Sequence, residues 1–88
     1  MKIKDGFMLK TVAGQHIVVP IGEAAQKFNG MISLNDTGAF LWKAMSKDIS
    51  RDGLVDKLLE EYEVEPNQAD AGVDTFLHKL REARLIDE

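Results

Sequence analysis

Gly30-Met31-Ile32-Ser33-Leu34-Asn35-Asp36-Thr37-Gly38-Ala39-Phe40-Leu41-Trp42 is where the chain changes its period. From Gly30 to Leu34 the pattern alternates, which predicts a short strand with Ile32 and Leu34 on one face and Met31 and Ser33 on the other. Asn35 then offers a side-chain oxygen to the first free amides of a helix. Asp36 places a negative charge where the helix dipole favours one. A helix is predicted from about Asp36 to Ser46, with Phe40, Leu41, Ala44 and Met45 on one stripe and Trp42 at its border.

On the N-terminal side, Phe7-Met8-Leu9-Lys10-Thr11-Val12 and Gln15-His16-Ile17-Val18-Val19 are β-favouring runs. Ala13-Gly14 supplies the turn between them, with Gly14 free to take a positive φ, and Pro20 stops the second run. Residues 20–29 form a connection without a clean period, in which Ala24 and Ala25 suit one helical turn. On the C-terminal side, Ser50 is the predicted cap of a second helix, whose face is Leu54, Val55, Leu58, Leu59 and Tyr62. A third helix starts near Pro66, a residue favoured at the first helical position. Its face is Ala69, Val73, Phe76, Leu77 and Leu80, and it runs to about Ala83. Leu85-Ile86 is read as a short apolar tail. Strands followed by a run of helices predict an α+β fold: a three-stranded antiparallel sheet, then three helices, in a winged helix-turn-helix-like arrangement.

The chain has 88 residues and no cysteine, and this fits one domain over residues 1–88. A chain of this size buries only about 60–65% of its unfolded surface, so the core must be efficient or a partner must help. Apolar residues make up 44% and charged residues 30%, an ordinary balance for a soluble domain. No run approaches the roughly 20 apolar residues of a membrane span, and the N-terminus lacks the apolar stretch of a signal peptide. A cytoplasmic protein that makes no membrane contact is the expectation.

Charge is divided unevenly. Residues 1–47 hold six Lys/Arg and three Asp/Glu, whereas residues 48–88 hold five and twelve. The third helix sets Lys79, Arg81 and Arg84 against Asp70, Asp74 and Glu82. A DNA-binding regulator of the winged-helix type is therefore the alternative reading, and it is disfavoured because useful DNA binding needs several unopposed phosphate contacts. Catalysis finds no support. Ser33, Ser46 and Ser50 lie outside any G-x-S-x-G setting, and His16 and His78 lack a metal-ligand spacing. The acids Asp52, Asp56, Glu60, Glu61, Glu63 and Glu65 read as a solvated face. Asn35-Asp36-Thr37 matches a glycosylation sequon but is better read as a helix cap. No catalytic residue, cofactor or metal ligand is expected.

A three-stranded sheet leaves an edge unpaired, and an open edge offers alternating N–H and C=O groups to a further strand. Where that edge lies beside the third helix, the two form a groove suited to an extended peptide joining the sheet. The same edge also suits pairing with a second copy, as a homodimer, or burial under the 20–29 connection.

The segment from Gly30 to Trp42, with its L-N-x-T-G/A-A-x-x-W core, resembles the PQQ-synthesis protein D family, called PqqD-like. Val18-Val19-Pro20 before it fits the family. So do Tyr62 after an acidic helix and the spacing of Ala69, Val73, Phe76, Leu77 and Leu80. The resemblance covers essentially the whole chain. It implies a non-catalytic chaperone that captures the leader of a ribosomally made precursor peptide and presents it to a modifying enzyme, often a radical S-adenosylmethionine enzyme. The leader adds as a strand along Gly30, Met31, Ile32, Ser33 and Leu34, against a wall that includes Val73 and Leu77. One flank of the third helix, Asp70, Asp74 and Arg81, is the chosen remainder of that wall. The other flank is Gly72, Lys79 and Ala83, and the sequence does not decide between them. Gly38 and Trp42 look like the broad superfamily rather than its PQQ-dedicated members, so the client need not be the PQQ precursor.

Overall fold

Local turn and cap chemistry sets most of the element boundaries. The computed structural model describes residues 1–27 and 31–88. In chain order the elements are β1 (Lys2–Ile3), β2 (Phe7–Val12), β3 (Gln15–Pro20), α1 (Ala24–Lys27), β4 (Ile32–Leu34), α2 (Asp36–Ala44), α3 (Arg51–Glu61), α4 (Pro66–Glu82) and β5 (Ile86–Asp87). The predicted third strand begins at Ile32. Met31 precedes it, and Gly30 lies outside the described residues.

Strands β2 and β3 form a hairpin closed by the Val12–Gln15 pair, with two residues between. Both take positive φ, Ala13 at 52° and Gly14 at 79°, the backbone of a type I′ turn. This matches the right-handed twist of the flanking strands. Gly14 adopts it freely, whereas Ala13 does so against its Cβ. Strand β4 pairs antiparallel with β3, giving the sheet order β2-β3-β4. Val18 and Leu34 on one face are buried in the core, while Met8 and Val12 on the other face are exposed.

Helices α2 and α3 begin on side-chain caps. Asn35 Oδ1 accepts from the Gly38 amide at 2.7 Å, and Ser50 Oγ from the Gly53 amide at 2.9 Å. Glu65 and Gln68 form a capping box ahead of α4, with Pro66 in its first turn. The strand-to-helix corner is tight. A Cβ on Gly38 would stand 3.2 Å from both Leu34 Cβ and Asn35 Oδ1, so a side chain there would push these neighbours back by a few tenths of an ångström. The core joins Leu41, Trp42 and Met45 of the α2 region to Leu54 and Leu58 of α3 and to Val73, Phe76, Leu77 and Leu80 of α4. Trp42, expected at the border of its stripe, is buried.

The two chain ends form an element that the periodicity did not reveal. Strands β1 and β5 pair antiparallel, Lys2 with Asp87 and Ile3 with Ile86. Leu85, read from sequence as part of a tail, is fully buried, and its carbonyl accepts from the Lys4 amide at 2.9 Å. The path to that ribbon is a Schellman stop on α4. The Leu85 amide donates to the Leu80 carbonyl at 2.9 Å and the Arg84 amide to the Arg81 carbonyl at 3.0 Å.

The stop holds Arg84 at φ 58°, where a Cβ costs about 1–2 kcal/mol and glycine has no such penalty. Arg84→Gly is expected to raise stability by about 1 kcal/mol. The measurement is the urea midpoint at unchanged slope. A midpoint at or below wild type would refute the strain argument.

Candidate functional site

The hairpin register decides which way the β4 backbone points. In a two-residue hairpin the closing pair, Val12 with Gln15, exchanges hydrogen bonds, and alternate pairs do the same. Lys10–Ile17 and Met8–Val19 are then the bonded pairs, so Ile17 spends its backbone groups on β2. His16 and Val18 turn theirs toward β4 and bond Leu34 and Ile32. Ser33, opposite Ile17, is left with its N–H and C=O pointing away from the sheet. A side-chain contact agrees: Lys79 Nζ of α4 donates to the Ser33 carbonyl at 2.6 Å from that open side. Among the described residues no strand pairs with β4 beyond it.

Beside this edge lies a cleft of about 510 Å³. Leu34, Asn35, Thr37 and Gly38 form one side, and Gln68, Gly72, Thr75 and Lys79 of α4 form the other. Leu41, Leu58 and Phe76 line it from the core, and Tyr62 and Val64 close the end near the α3–α4 connection. Tyr62 is held there edge-on to Phe40, with ring centroids 5.6 Å apart. The lining is mostly apolar, Asn35, Thr37, Gln68 and Thr75 add neutral polar groups, and Lys79 is the one charged side chain among the described residues there. Such a lining, with a few polar groups and an open strand edge, suits an extended peptide with apolar side chains.

Of the residues singled out from the sequence, Ser33 and Leu34 stand at the cleft, with Ile32 half-buried beside them in β4 and Met31 exposed just before it. Val73 and Leu77 are fully buried beneath α4. Asp70 and Asp74 lie on the flank away from the cleft, against Arg51 at the start of α3, at 3.4 Å and 2.7 Å. The Arg51 hydrogen bond holds the Asp74 carboxyl below its usual range and pushes the Arg51 guanidinium up. Arg81 is engaged with Glu88 at 2.8 Å, whose carboxyl it lowers.

The cleft therefore runs along the other flank, through Gly72 and Lys79. Gln68 and Thr75 line it as well and were missed. A signal for them exists, since Gln68, Gly72, Thr75 and Lys79 recur at helical spacing as an acid-free stripe in the acidic half of the chain.

Both histidines lie outside the cleft lining. His16 bridges Thr11 Oγ1 at 2.8 Å and Asp36 Oδ1 at 2.7 Å, tying the hairpin to the start of α2. His78 faces Glu82 at 3.6 Å on the exposed side of α4. Among the described residues no cluster of three or more His, Asp or Glu stands close enough to hold a metal ion. No helix among them is long and apolar enough to cross a membrane.

Two solved structures share this fold. TbiB1 in complex with the TbiA(beta) leader peptide superposes with a TM-score of 0.75 at 18% identity, covering 99% of this chain and 95% of that one. Lasso peptide synthetase B1 complexed with the leader peptide superposes with a TM-score of 0.71 at 18% identity, covering 92% and 89%. No curated protein matches. The family model for coenzyme PQQ synthesis protein D matches residues 15–86, from the start of β3 to the first residue of β5. With strand edge, cleft and all three long helices inside that match, the chain belongs to the PqqD family.

Proposed function

We propose that this protein binds the leader segment of a ribosomally made precursor peptide as a fourth strand on β4, in the cleft against α4, and presents it to a modifying enzyme. One observation carries the reading: the outward N–H and C=O of Ser33 lie on an unpaired strand edge, beside an apolar cleft of about 510 Å³. A guest strand satisfies the edge and places alternate side chains in the cleft. Each added backbone bond contributes about 0.5–1.5 kcal/mol net, so four or five with two filled pockets support micromolar binding after ordering costs.

Membership of the PqqD family supports the reading, as do the leader peptides bound to the two structural relatives. We infer a non-catalytic role, a reading that membership of the PqqD family supports. The chemistry then belongs to a separate partner, and a radical S-adenosylmethionine enzyme in the cytoplasm is the partner we infer. Met31, Ile32, Ser33 and Leu34 form the strand side of the site, and Gln68, Gly72, Thr75 and Lys79 the helix side.

The test is an amide NMR titration of the full chain with leader peptides encoded beside its gene. Shift changes are expected at Met31, Ser33, Gly72, Thr75 and Lys79, with Asp70 and Asp74 little affected. Shifts centred on the Arg51 flank would overturn the placement. No shifts at high micromolar peptide would overturn the function.

A further inference from the structure

We propose that Lys79 is a placeholder for the incoming strand and a selector for a carboxylate carried by it. The guest takes over the Ser33 carbonyl, and the released ammonium pairs with an Asp or Glu side chain of the guest. This rests on the leader-binding reading above and adds the chemistry of the residue that is recognised.

Lys79 Nζ donates to Ser33 O at 2.6 Å, joining α4 to β4 across the cleft mouth. That carbonyl is the acceptor a further strand must use, since its neighbours bond β3. A paired strand lies about 4.8 Å away, and an ammonium in hydrogen-bond contact with Ser33 O stands inside that space. The guest and the ammonium therefore compete for one position. Lysine is suited to yield it, because its charge sits on a flexible four-carbon stem. The contact is also exposed, which keeps it weak.

Displacement leaves a cation at the rim of an apolar cleft. Lys79 is the one charged group among the described lining residues. Asp74 and Asp70 face Arg51 on the opposite flank. Glu82, one turn along α4, faces His78. The guest is thus the source of a countercharge, and a carboxylate close to the residue that pairs with Ser33 supplies it.

The experiment is calorimetric titration of the full chain with a synthetic leader peptide from a neighbouring precursor gene. Copies of that peptide carry each acidic residue changed singly to its amide. Each is run against wild type, Lys79→Met and Lys79→Arg. One neutralisation is expected to weaken wild-type binding about fivefold or more. The same neutralisation should have no effect on Lys79→Met, while Lys79→Arg should retain it. The neutralised peptide should bind Lys79→Met at least as tightly as wild type, since no ammonium has to leave Ser33. If wild type binds the leader and no neutralisation matters, or if Lys79→Met weakens both peptides alike, the inference is overturned and leader binding stands. If wild type binds none of the leaders, both fall.

Discussion

Gly72→Phe is expected to abolish leader binding, by about a hundredfold or more, while leaving the fold intact. A Cβ built at Gly72 meets nothing nearer than Leu58 Cδ1 at 4.0 Å, so a larger side chain enters open cleft rather than packed core. A phenyl ring there displaces two apolar side chains of the guest. At about 1.5 kcal/mol for each buried side chain, that loss corresponds to a factor on the order of a hundred. Helix propensity moves the other way. Phenylalanine is favoured over glycine in a helix by a few tenths of a kcal/mol, and alanine by about 1 kcal/mol. Gly72→Ala is therefore the control, more stable than wild type and still able to bind. Titration calorimetry reads the first effect and urea unfolding the second. If Gly72→Phe binds leaders as wild type does, the cleft along α4 is not where the peptide lies.

The largest effect on stability is expected at the C-terminal end. Leu85→Ala should cost about 2–5 kcal/mol, the range for truncating a buried leucine. A domain of this size has only about 5–10 kcal/mol in total, so the variant is expected to be partly unfolded near physiological temperature. Leu85 is fully buried, receives the Schellman turn of α4 and accepts from the Lys4 amide. It therefore holds both chain ends against the core. A residue in a frayed tail would be replaced with little consequence. Thermal unfolding separates the two cases, and a melting temperature within a degree or two of wild type would refute the packing.

How much of this was legible in the sequence follows the range of the interactions. The Ala13-Gly14 turn, the Asn35 and Ser50 caps and Pro66 at the start of α4 act over two to four residues. Helical and strand periods act over ten or so. The α+β order, the three-stranded sheet and the three long helices were readable for that reason. The free edge at Ile32–Leu34 rested on the family resemblance instead, because which strand lies outermost is set by pairing across the sheet. The strain at Ala13 and Arg84 was not readable. Nothing local asks an alanine or an arginine for a positive φ; the twist of the hairpin and the packing of Leu85 impose it.

The helix flank shows the division most sharply. Asp70, Asp74 and Arg81 lie on one side of the apolar stripe of α4, and Gln68, Gly72, Thr75 and Lys79 on the other. Each flank adjoins the stripe, so periodicity gives them equal standing. What separates them is the rotation of α4 about its own axis. Ala69, Val73, Phe76, Leu77 and Leu80 set that rotation as they pack into the core, and Arg51 then claims the acidic flank. The amino-acid order alone determined that a short strand would run into a capped helix with an edge left over. Only the assembled molecule decided that Lys79 would reach that edge, because a contact across 46 residues exists only once sheet and helix have docked.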